Sequence, residues 1–346
     1  MTEHDEGLVG QARAGAELRY GGSPPTGETA ERMLEVPTAL LLDARQRNPA
    51  LAALDLPGAL ERLEHAWIEC DGAQIHAEVH AVAPDVASVV IVHGLGDHAR
   101  RLTPLAVALG EAGFNAISLD RRGHGLSEGR RGDATLEDDF AVLRLGITEA
   151  RRRFAGPVVL LGDSLGGIMI WYWLTQDPDV AAAVCHDISH PDVSLDRSMR
   201  FKAPLMRALG TVAPRLTIPI RRIANYDHVA LDPVTKVYFD DELDRLFNFG
   251  VSARSAASYL GFRPQVPWER VAIPVLVIAG AEDRMVSPRF IEASLARAQP
   301  PATTYVKVPG AGHQLFLDDL DASLAPLLEW LREAVGAEPA RAGATR

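Results

Sequence analysis

The chain has 346 residues, of which 47% are hydrophobic and 23% charged, and its formal net charge is −11. This composition is typical of a soluble globular protein and excludes a chain that is disordered throughout. The negative charge also argues against a nucleic-acid partner, because neutralising phosphates requires a concentrated basic surface.

The two ends of the chain carry the weakest folding signals. The first 28 residues combine scattered charge with several glycines and prolines, so we expect a mobile start, and we expect a mobile tail over residues 338–346. From Glu31 to about Leu63 apolar residues recur at helical spacing between prolines, which predicts two helices. Residues 1–65 are therefore interpreted as an N-terminal extension.

No segment of the sequence predicts export or membrane insertion. The acidic N-terminus lacks the apolar stretch of a signal peptide, and no run reaches the roughly 18 apolar residues that span a bilayer. Cys70 and Cys185 are too few for a disulfide framework. We expect a cytoplasmic protein without a transmembrane segment, for which transient contact with a lipid surface stays open.

A mixed β-sheet is predicted for most of the chain. Residues 66–70 and 75–80 alternate around Asp71-Gly72, which predicts a β-hairpin. Six short apolar runs then alternate with helical stretches, at residues 88–93, 114–120, 157–161, 180–187, 274–278 and 303–308. This alternation favours a mostly parallel sheet of about eight strands with helices on both faces.

The alternation stops between His190 and about Glu269, where no strand pattern is visible and apolar residues keep helical spacing. We interpret residues 190–270 as an inserted helical cap that divides the core into residues 66–189 and 271–337. An insertion here would overhang the crevice where open α/β sheets bind ligands. The cap's apolar side chains that could line an acyl pocket are Phe201, Met206, Leu209, Ile218, Ile220, Phe239, Phe247 and Phe249.

Ser164 lies at the centre of G-D-S-L-G, between a strand-like and a helix-like apolar run. In a G-x-S-x-G turn both glycines are needed, because the sharp turn brings backbone segments too close for a Cβ atom. The context predicts a nucleophile elbow with Ser164 as the nucleophile.

Two later loops supply partners for this serine. A serine hydroxyl needs a nearby base and a third group that orients the base. Asp283 follows the run 274–278 and His313 follows the run 303–308, each on a loop after a strand. Glu282 competes for the acid role, but the G-x-x-D spacing from Gly280 favours Asp283. The order Ser, Asp, His is that of the α/β-hydrolase fold.

Acyl transfer also needs donors for the negative charge that develops on the substrate oxygen, each commonly worth about 3 kcal/mol of barrier. The candidates are the backbone amides of Leu165, directly after the serine, and of Leu95, in the glycine-rich loop after the run 88–93. His93 and His98 in that loop lack a third ligand, so we expect no metal site there.

Two blocks of sequence resemble a known family. Residues 93–98 (H-G-L-G-D-H) and residues 120–129 (D-R-R-G-H-G-L-S-E-G) are similar to the H-G-x-G-[ED]-H and G-H-G-x-S-x-G motifs of the monoacylglycerol lipase and lysophospholipase branch of the α/β-hydrolase superfamily. That branch is also grouped with serine aminopeptidases. The resemblance covers roughly residues 66–335 and implies that Ser164, Asp283 and His313 form a catalytic triad.

The chain departs from this branch at two places. The branch usually has histidine before the nucleophile and methionine after it, where this chain has Asp163 and Leu165. After the sixth strand the branch usually has a small serine- and proline-containing turn, where this chain has H-D-I-S-H-P from residue 186. Local hydrogen bonding at the strand end is one interpretation of these ionisable groups. The other is a polar pocket wall, formed by His98, Asp163, Asp187 and His190.

The sequence therefore predicts a serine hydrolase that cleaves carboxylic esters through an acyl-enzyme, without a cofactor. Its partner would be a small-molecule acyl ester of medium or long chain, such as a monoacylglycerol or a lysophospholipid. An aminopeptidase, a thioesterase or a carbon–carbon bond hydrolase would use the same three residues. A catalytically silent binding protein with this fold is a further alternative, and the oligomeric state is left open.

Overall fold

The computed structural model describes residues 28–176, 179–194, 199–222 and 244–336. The expected mobile start, save Glu28, and the expected mobile tail after residue 337 lie outside these ranges, as does Phe239. No described helix has both the length and the apolar character needed to cross a bilayer.

Ten strands are present in the described residues. They are β1 (Glu64–Cys70), β2 (Ala73–His80), β3 (Ser88–Val92), β4 (Asn115–Leu119), β5 (Val158–Gly162), β6 (Ala182–His186), β7 (Thr217–Pro219), β8 (Gly250–Ser252), β9 (Val275–Gly280) and β10 (Thr303–Val308). Eight of them form one sheet in the order β1-β2-β4-β3-β5-β6-β9-β10. In this sheet β1 pairs antiparallel with β2 and β2 antiparallel with β4, whereas the remaining neighbouring strands of the sheet are parallel. The predicted hairpin and the mostly parallel eight-stranded sheet are confirmed.

The central strands are uniformly apolar because the sheet is covered on both faces. All five residues of β3 are buried. Val89 and Ile91 belong to one core cluster and Val90 and Val92 to the other. The two-residue period of the strand thus divides its side chains between two hydrophobic layers.

The helices that the structure describes are α1 (Glu28–Arg47), α2 (Pro49–Ala53), α3 (Leu56–Arg62), α4 (Thr103–Glu111), α5 (Leu136–Arg153), α6 (Leu165–Trp173), α7 (Met199–Val212), α8 (Ala253–Leu260), α9 (Pro288–Ala298) and α10 (Leu320–Gly336). Local sequence sets their ends. α5, for example, begins at a capping box in which Thr135 and Asp138 satisfy each other's backbone amides.

The N-terminal extension contains three helices where the sequence pattern indicated two. α1 packs Ala30 and Leu34 against Leu126 of the core and Leu246 of the cap segment. Thr38 accepts a hydrogen bond from Arg100, which lies just after the glycine-rich loop that follows β3. The extension therefore contacts both parts of the chain that flank the predicted crevice.

The described residues of the cap segment include two α-helices, α7 and α8, as expected, with one difference from the sequence-based expectation. α7 and α8 cross closely, since a Cβ atom at Gly210 would lie 2.4 Å from Ala257 Cβ. No strand was expected here, but β7 and β8 pair antiparallel as a two-stranded ribbon. Strands of three residues are too short to show an alternating pattern, which is why the sequence did not reveal them. The backbone amide of Asn248 donates a hydrogen bond to Gly96 O at 2.7 Å, so the base of the cap is joined to the loop after β3.

Candidate active site

The candidate residues come from different loops but share one edge of the sheet. Leu95, Ser164, Asp187, Asp283 and His313 follow β3, β5, β6, β9 and β10, respectively. These strands are parallel, so their carboxyl ends lie at the same edge, where open α/β sheets bind ligands.

Ser164 occupies a strained backbone conformation, with φ 51° and ψ −115°. The glycines around it are sterically required. A Cβ at Gly162 would lie 2.3 Å from Gly166 C and O, and a Cβ at Gly166 would lie 2.4 Å from Val92 O. The turn between β5 and α6 therefore has the close backbone packing that the G-x-S-x-G pattern predicted.

The structure brings Ser164, His313 and Asp283 into one hydrogen-bonded row. Ser164 Oγ lies 3.0 Å from His313 Nε2, and His313 Nδ1 lies 2.8 Å from Asp283 Oδ2. The other Asp283 oxygen, Oδ1, accepts the amides of Met285 and Val286 at 2.7 and 2.9 Å. Two backbone donors thus fix the carboxylate while its second oxygen faces the imidazole. Glu282, the competing acid, is exposed.

The electrostatics of this row favour a charged imidazole. Burial lowers the pKa of His313, but the hydrogen bond and charge of Asp283, together with the charge of Asp187, outweigh it, so the pKa is raised above its ordinary value. Burial raises the pKa of Asp283, but the hydrogen bond to His313 and the positive charges of His313 and His186 together outweigh it, so this pKa is lowered. The site therefore stabilises the protonated form of His313.

The two candidate oxyanion donors flank the serine. A Cβ at Gly94 would lie 3.2 Å from Ser164 Cβ, which places the loop after β3, with Leu95, against Ser164. Leu165 is the first residue of α6, and amides in the first turn of a helix have no acceptor within the helix. Among the described residues, neither of these two amides donates a hydrogen bond to the protein.

The four candidate wall residues are dispersed. Asp163 lines a small cavity beside the elbow, together with Asp97, Arg101, Leu102, Gln314, Phe316 and Leu317. Asp187 is fully buried behind His313. His98 is buried with its Nε2 2.7 Å from Asp244 Oδ2, and the His190 ring packs on Trp268. Neither His98 nor His190 is among the described residues that line this cavity. Each contacts a neighbouring side chain instead.

The cap residues expected to line an acyl pocket differ in how deeply their side chains are buried. Ile220 and Phe247 are buried, whereas Met206, Leu209, Ile218 and Phe249 are half-buried.

Within the part of the chain that the structure describes, two groups of side chains could hold a metal ion by geometry. Donor atoms of His186, Asp187, Asp283 and His313 lie within 4.8 Å of one another, as do those of His65, His76 and Glu78. An ion in the first group would take the place of the proton between Asp283 and His313. The sequence did not reveal either group, because their members are distant in the chain or separated by a hairpin.

The histidines of the two family-like motifs have structural partners instead. His93 accepts the Arg121 amide at Nε2, 3.1 Å away, and its Nδ1 faces Gly94 O at 3.0 Å. His124 Nδ1 lies 3.0 Å from Arg122 O. The rings of His93 and His124 also pack on each other, with centroids 5.3 Å apart, so this pair connects the loops after β3 and β4.

Comparison with known proteins identifies relatives over most of the chain. The model of the family described as serine aminopeptidase, S33 matches residues 83–320. A monoacylglycerol lipase from Mycolicibacterium smegmatis is 28% identical over 264 residues, covering 74% of this chain and 91% of the relative. Phospholipase YtpA from Bacillus subtilis is 24% identical over 240 residues, covering 67% of this chain and 89% of the relative.

Solved structures show the same fold. The monoacylglycerol lipase of Paleococcus ferrophilus superposes with a TM-score of 0.63 at 23% identity, covering 79% of this chain and 99% of the other. A soluble variant of the monoglyceride lipase of Saccharomyces cerevisiae, in complex with a substrate analogue, gives 0.66 at 17% identity, covering 80% and 96%. These similarities confirm the predicted α/β-hydrolase fold.

Proposed function

The chain belongs to the serine aminopeptidase, S33 family, as its motifs predicted, and we propose that it is a serine ester hydrolase. In this proposal Ser164 is the nucleophile, His313 the base and Asp283 the acid. The observation that carries the proposal is the row of two short contacts, 3.0 Å from Ser164 Oγ to His313 Nε2 and 2.8 Å from His313 Nδ1 to Asp283 Oδ2.

The reaction begins with proton transfer. His313 Nε2 takes the hydroxyl proton while Ser164 Oγ attacks the ester carbonyl carbon, and the Nδ1–H bond to Asp283 keeps the imidazole in the correct tautomer. The carbonyl oxygen becomes an oxyanion that accepts hydrogen bonds from the amides of Leu95 and Leu165. Its collapse breaks the ester C–O bond, and the His313 proton passes to the leaving alcohol.

The second half of the reaction repeats the first with water as the nucleophile. His313, neutral again, removes a proton from water as its oxygen attacks the acyl carbon of the Ser164 ester. Collapse of the second oxyanion releases the carboxylic acid and returns the proton to Ser164 Oγ. No step needs a group outside the chain other than substrate and water.

An acyl ester is the proposed substrate, such as a monoacylglycerol or a lysophospholipid of medium or long chain. The relatives named monoacylglycerol lipase and phospholipase and the apolar cap side chains support this choice. An aminopeptidase would need a carboxylate for the substrate's ammonium group. The carboxylates at the small cavity are engaged, Asp97 with Arg101 at 3.0 Å and Asp163 with His186 at 2.6 Å, which favours the ester.

Labelling with a fluorophosphonate tests the nucleophile. We expect the wild-type chain to react and Ser164→Ala to lose both the label and turnover of p-nitrophenyl esters, by about 10⁴–10⁶. Ser194→Ala, at an exposed serine, is the matched control and should behave as wild type. If the wild-type chain does not react, or Ser164→Ala still reacts, the chain is a silent member of the fold. A series of p-nitrophenyl esters of increasing chain length, beside aminoacyl and thioester substrates, then defines the substrate class.

A further inference from the structure

A buried carboxylate that the triad does not use lies directly behind His313. Asp187 follows β6 and is 0% exposed. Its Oδ2 lies 3.5 Å from His313 Nδ1 and 3.7 Å from His186 Nε2, and neither of its oxygens has a hydrogen-bond partner among the described residues. Buried polar atoms without a partner are rare in folded proteins, and such an atom beside a reacting group indicates a functional role.

A charged pair holds this carboxylate from the other side. His186 Nδ1 donates to Asp163 Oδ1 at 2.6 Å, while its buried Nε2 faces Asp187. Burial lowers the pKa of His186, but the charge of Asp187 and the hydrogen bond to Asp163 raise it, with a net result of about 9. His186 is therefore an imidazolium at neutral pH, placed between two carboxylates.

The charge of Asp187 itself depends on its surroundings. Burial raises its pKa to about 7, and the positive charges of His186 and His313 oppose that rise. The titratable groups that face it come from β6 and β10 and from the loops after β5, β9 and β10. They are Asp163, His186, Asp283, His313 and Tyr305.

The backbone fixes Asp187 in this position. Its φ of 72° lies in the left-handed region, which aspartate tolerates better than most residues. A Cβ at Gly167 would lie 2.2 Å from His186 O and 2.8 Å from Asp187 O, so the strand end is seated against the first turn of α6. Because Ser164 begins that turn, the position of Asp187 is coupled to the nucleophile elbow.

We propose that Asp187 is a second positioning carboxylate for the His313 imidazole, held in place by the Asp163–His186 pair. The inference rests on the proposed serine hydrolase activity. Asp283 is the principal acceptor of the Nδ1 proton at 2.8 Å, and Asp187 stands 3.5 Å from the same nitrogen. When Asp283 is neutralised, a movement of less than about 1 Å brings Asp187 to hydrogen-bond distance, where it keeps the imidazole in the tautomer that accepts the serine proton.

The test compares kcat/KM for a p-nitrophenyl ester in Asp283→Asn, Asp187→Asn and the double variant. We expect Asp283→Asn to stay at least about 10-fold more active than the double variant, which should approach Ser164→Ala. The loss in the double variant should exceed the product of the two single losses, because each carboxylate can replace the other in part. Equal activity of Asp283→Asn and the double variant would overturn the proposal.

The pH profile separates positioning from a merely structural role. Removing the Asp187 anion lowers the pKa of His313, so the acidic limb of kcat/KM in Asp187→Asn should move to lower pH. Glu149→Gln, at another buried carboxylate but on α5, is the control and should leave the limb in place. If Asp187→Asn lowers the melting temperature but leaves the acidic limb of the kcat/KM profile in place, the role of Asp187 is only structural.

A second measurement does not depend on turnover. In proton NMR the downfield Nδ1–H signal of His313 should persist in Asp283→Asn, and it should vanish in the double variant if that variant folds. Loss of the signal in Asp283→Asn would contradict the proposal. Failure of the underlying activity is recognised separately, because a wild-type chain that does not react with fluorophosphonate refutes the serine hydrolase itself.

Discussion

Gly166→Ala tests whether close backbone packing around Ser164 is what requires glycine in the elbow. The added Cβ would lie 2.4 Å from Val92 O and 2.8 Å from His93 O, whereas ordinary contacts begin at 3.4 Å. One of these atoms must therefore move by about 1 Å. Both are backbone atoms at the end of β3, in the middle of the sheet, and cannot rotate away as a side chain would.

The expected loss is large for a single methyl group. Forcing extra volume into a packed core costs about 1–3 kcal/mol, and a contact with central backbone belongs at the upper end of that range. At about 2 °C per kcal/mol for a chain of this size, a loss of about 3 kcal/mol lowers the melting temperature by about 6 °C. A displacement of about 1 Å between the Leu95 and Leu165 amides would also lower kcat/KM by about 100-fold.

Thermal unfolding followed by circular dichroism measures the change in melting temperature. Ester hydrolysis over a series of substrate concentrations measures the change in kcat/KM. Gly336→Ala is the matched control, because a Cβ there meets nothing within 4 Å, and it should change stability by less than about 0.5 kcal/mol. If Gly166→Ala unfolds and turns over like Gly336→Ala, the steric account of the elbow is refuted.

Three further outcomes follow from the structure. Because the pKa of His313 is raised, kcat/KM should fall as the pH drops through that raised value, where a protonated Nε2 cannot accept the serine proton; a flat profile between about pH 5 and 8 would contradict this. His98→Ala removes the imidazole that pairs with the buried Asp244 carboxylate, so thermal unfolding should show a loss of about 3–5 kcal/mol, against at most about 1 kcal/mol for Arg297→Ala in its exposed pair with Asp192. Exhaustive chelation with EDTA should leave hydrolysis unchanged, and a loss that Zn²⁺ restores would instead show that hydrolysis depends on a bound metal ion, for which the two clusters described above are the candidates.

The large sheet could be predicted because its signal is local. Runs such as Val275–Gly280 are continuously apolar, since both faces of the strand are covered, and the intervening segments have a different period. The ribbon of β7 and β8 has no comparable signal. Each strand has only three residues. Thr217 pairs with Ser252, and these two residues are 35 positions apart in the chain, so no local pattern predicts their contact.

The candidate site likewise contains residues that the sequence could predict and residues whose roles it could not predict. Ser164, Asp283 and His313 could be nominated because each follows a strand in a chain order that fits one fold. The role of Asp187 could not, although the sequence marks it as unusual. Its distance to His313 depends on β6, β9 and β10 lying side by side, and that order follows from packing rather than from any local pattern. Likewise the partner of His98 is Asp244, 146 positions away.

The departures from the family pattern form one unit rather than separate exceptions. An aspartate after β6, buried 3.5 Å from His313 and close to the Asp283 carboxylate, would add an uncompensated negative charge. The neighbouring His186 supplies the compensating positive charge. An imidazolium buried there needs its own acceptor, and Asp163, the residue before the nucleophile, provides one at 2.6 Å. Each of the three groups is tolerable in the core because the other two are present, so their effects on stability and turnover should be strongly interdependent.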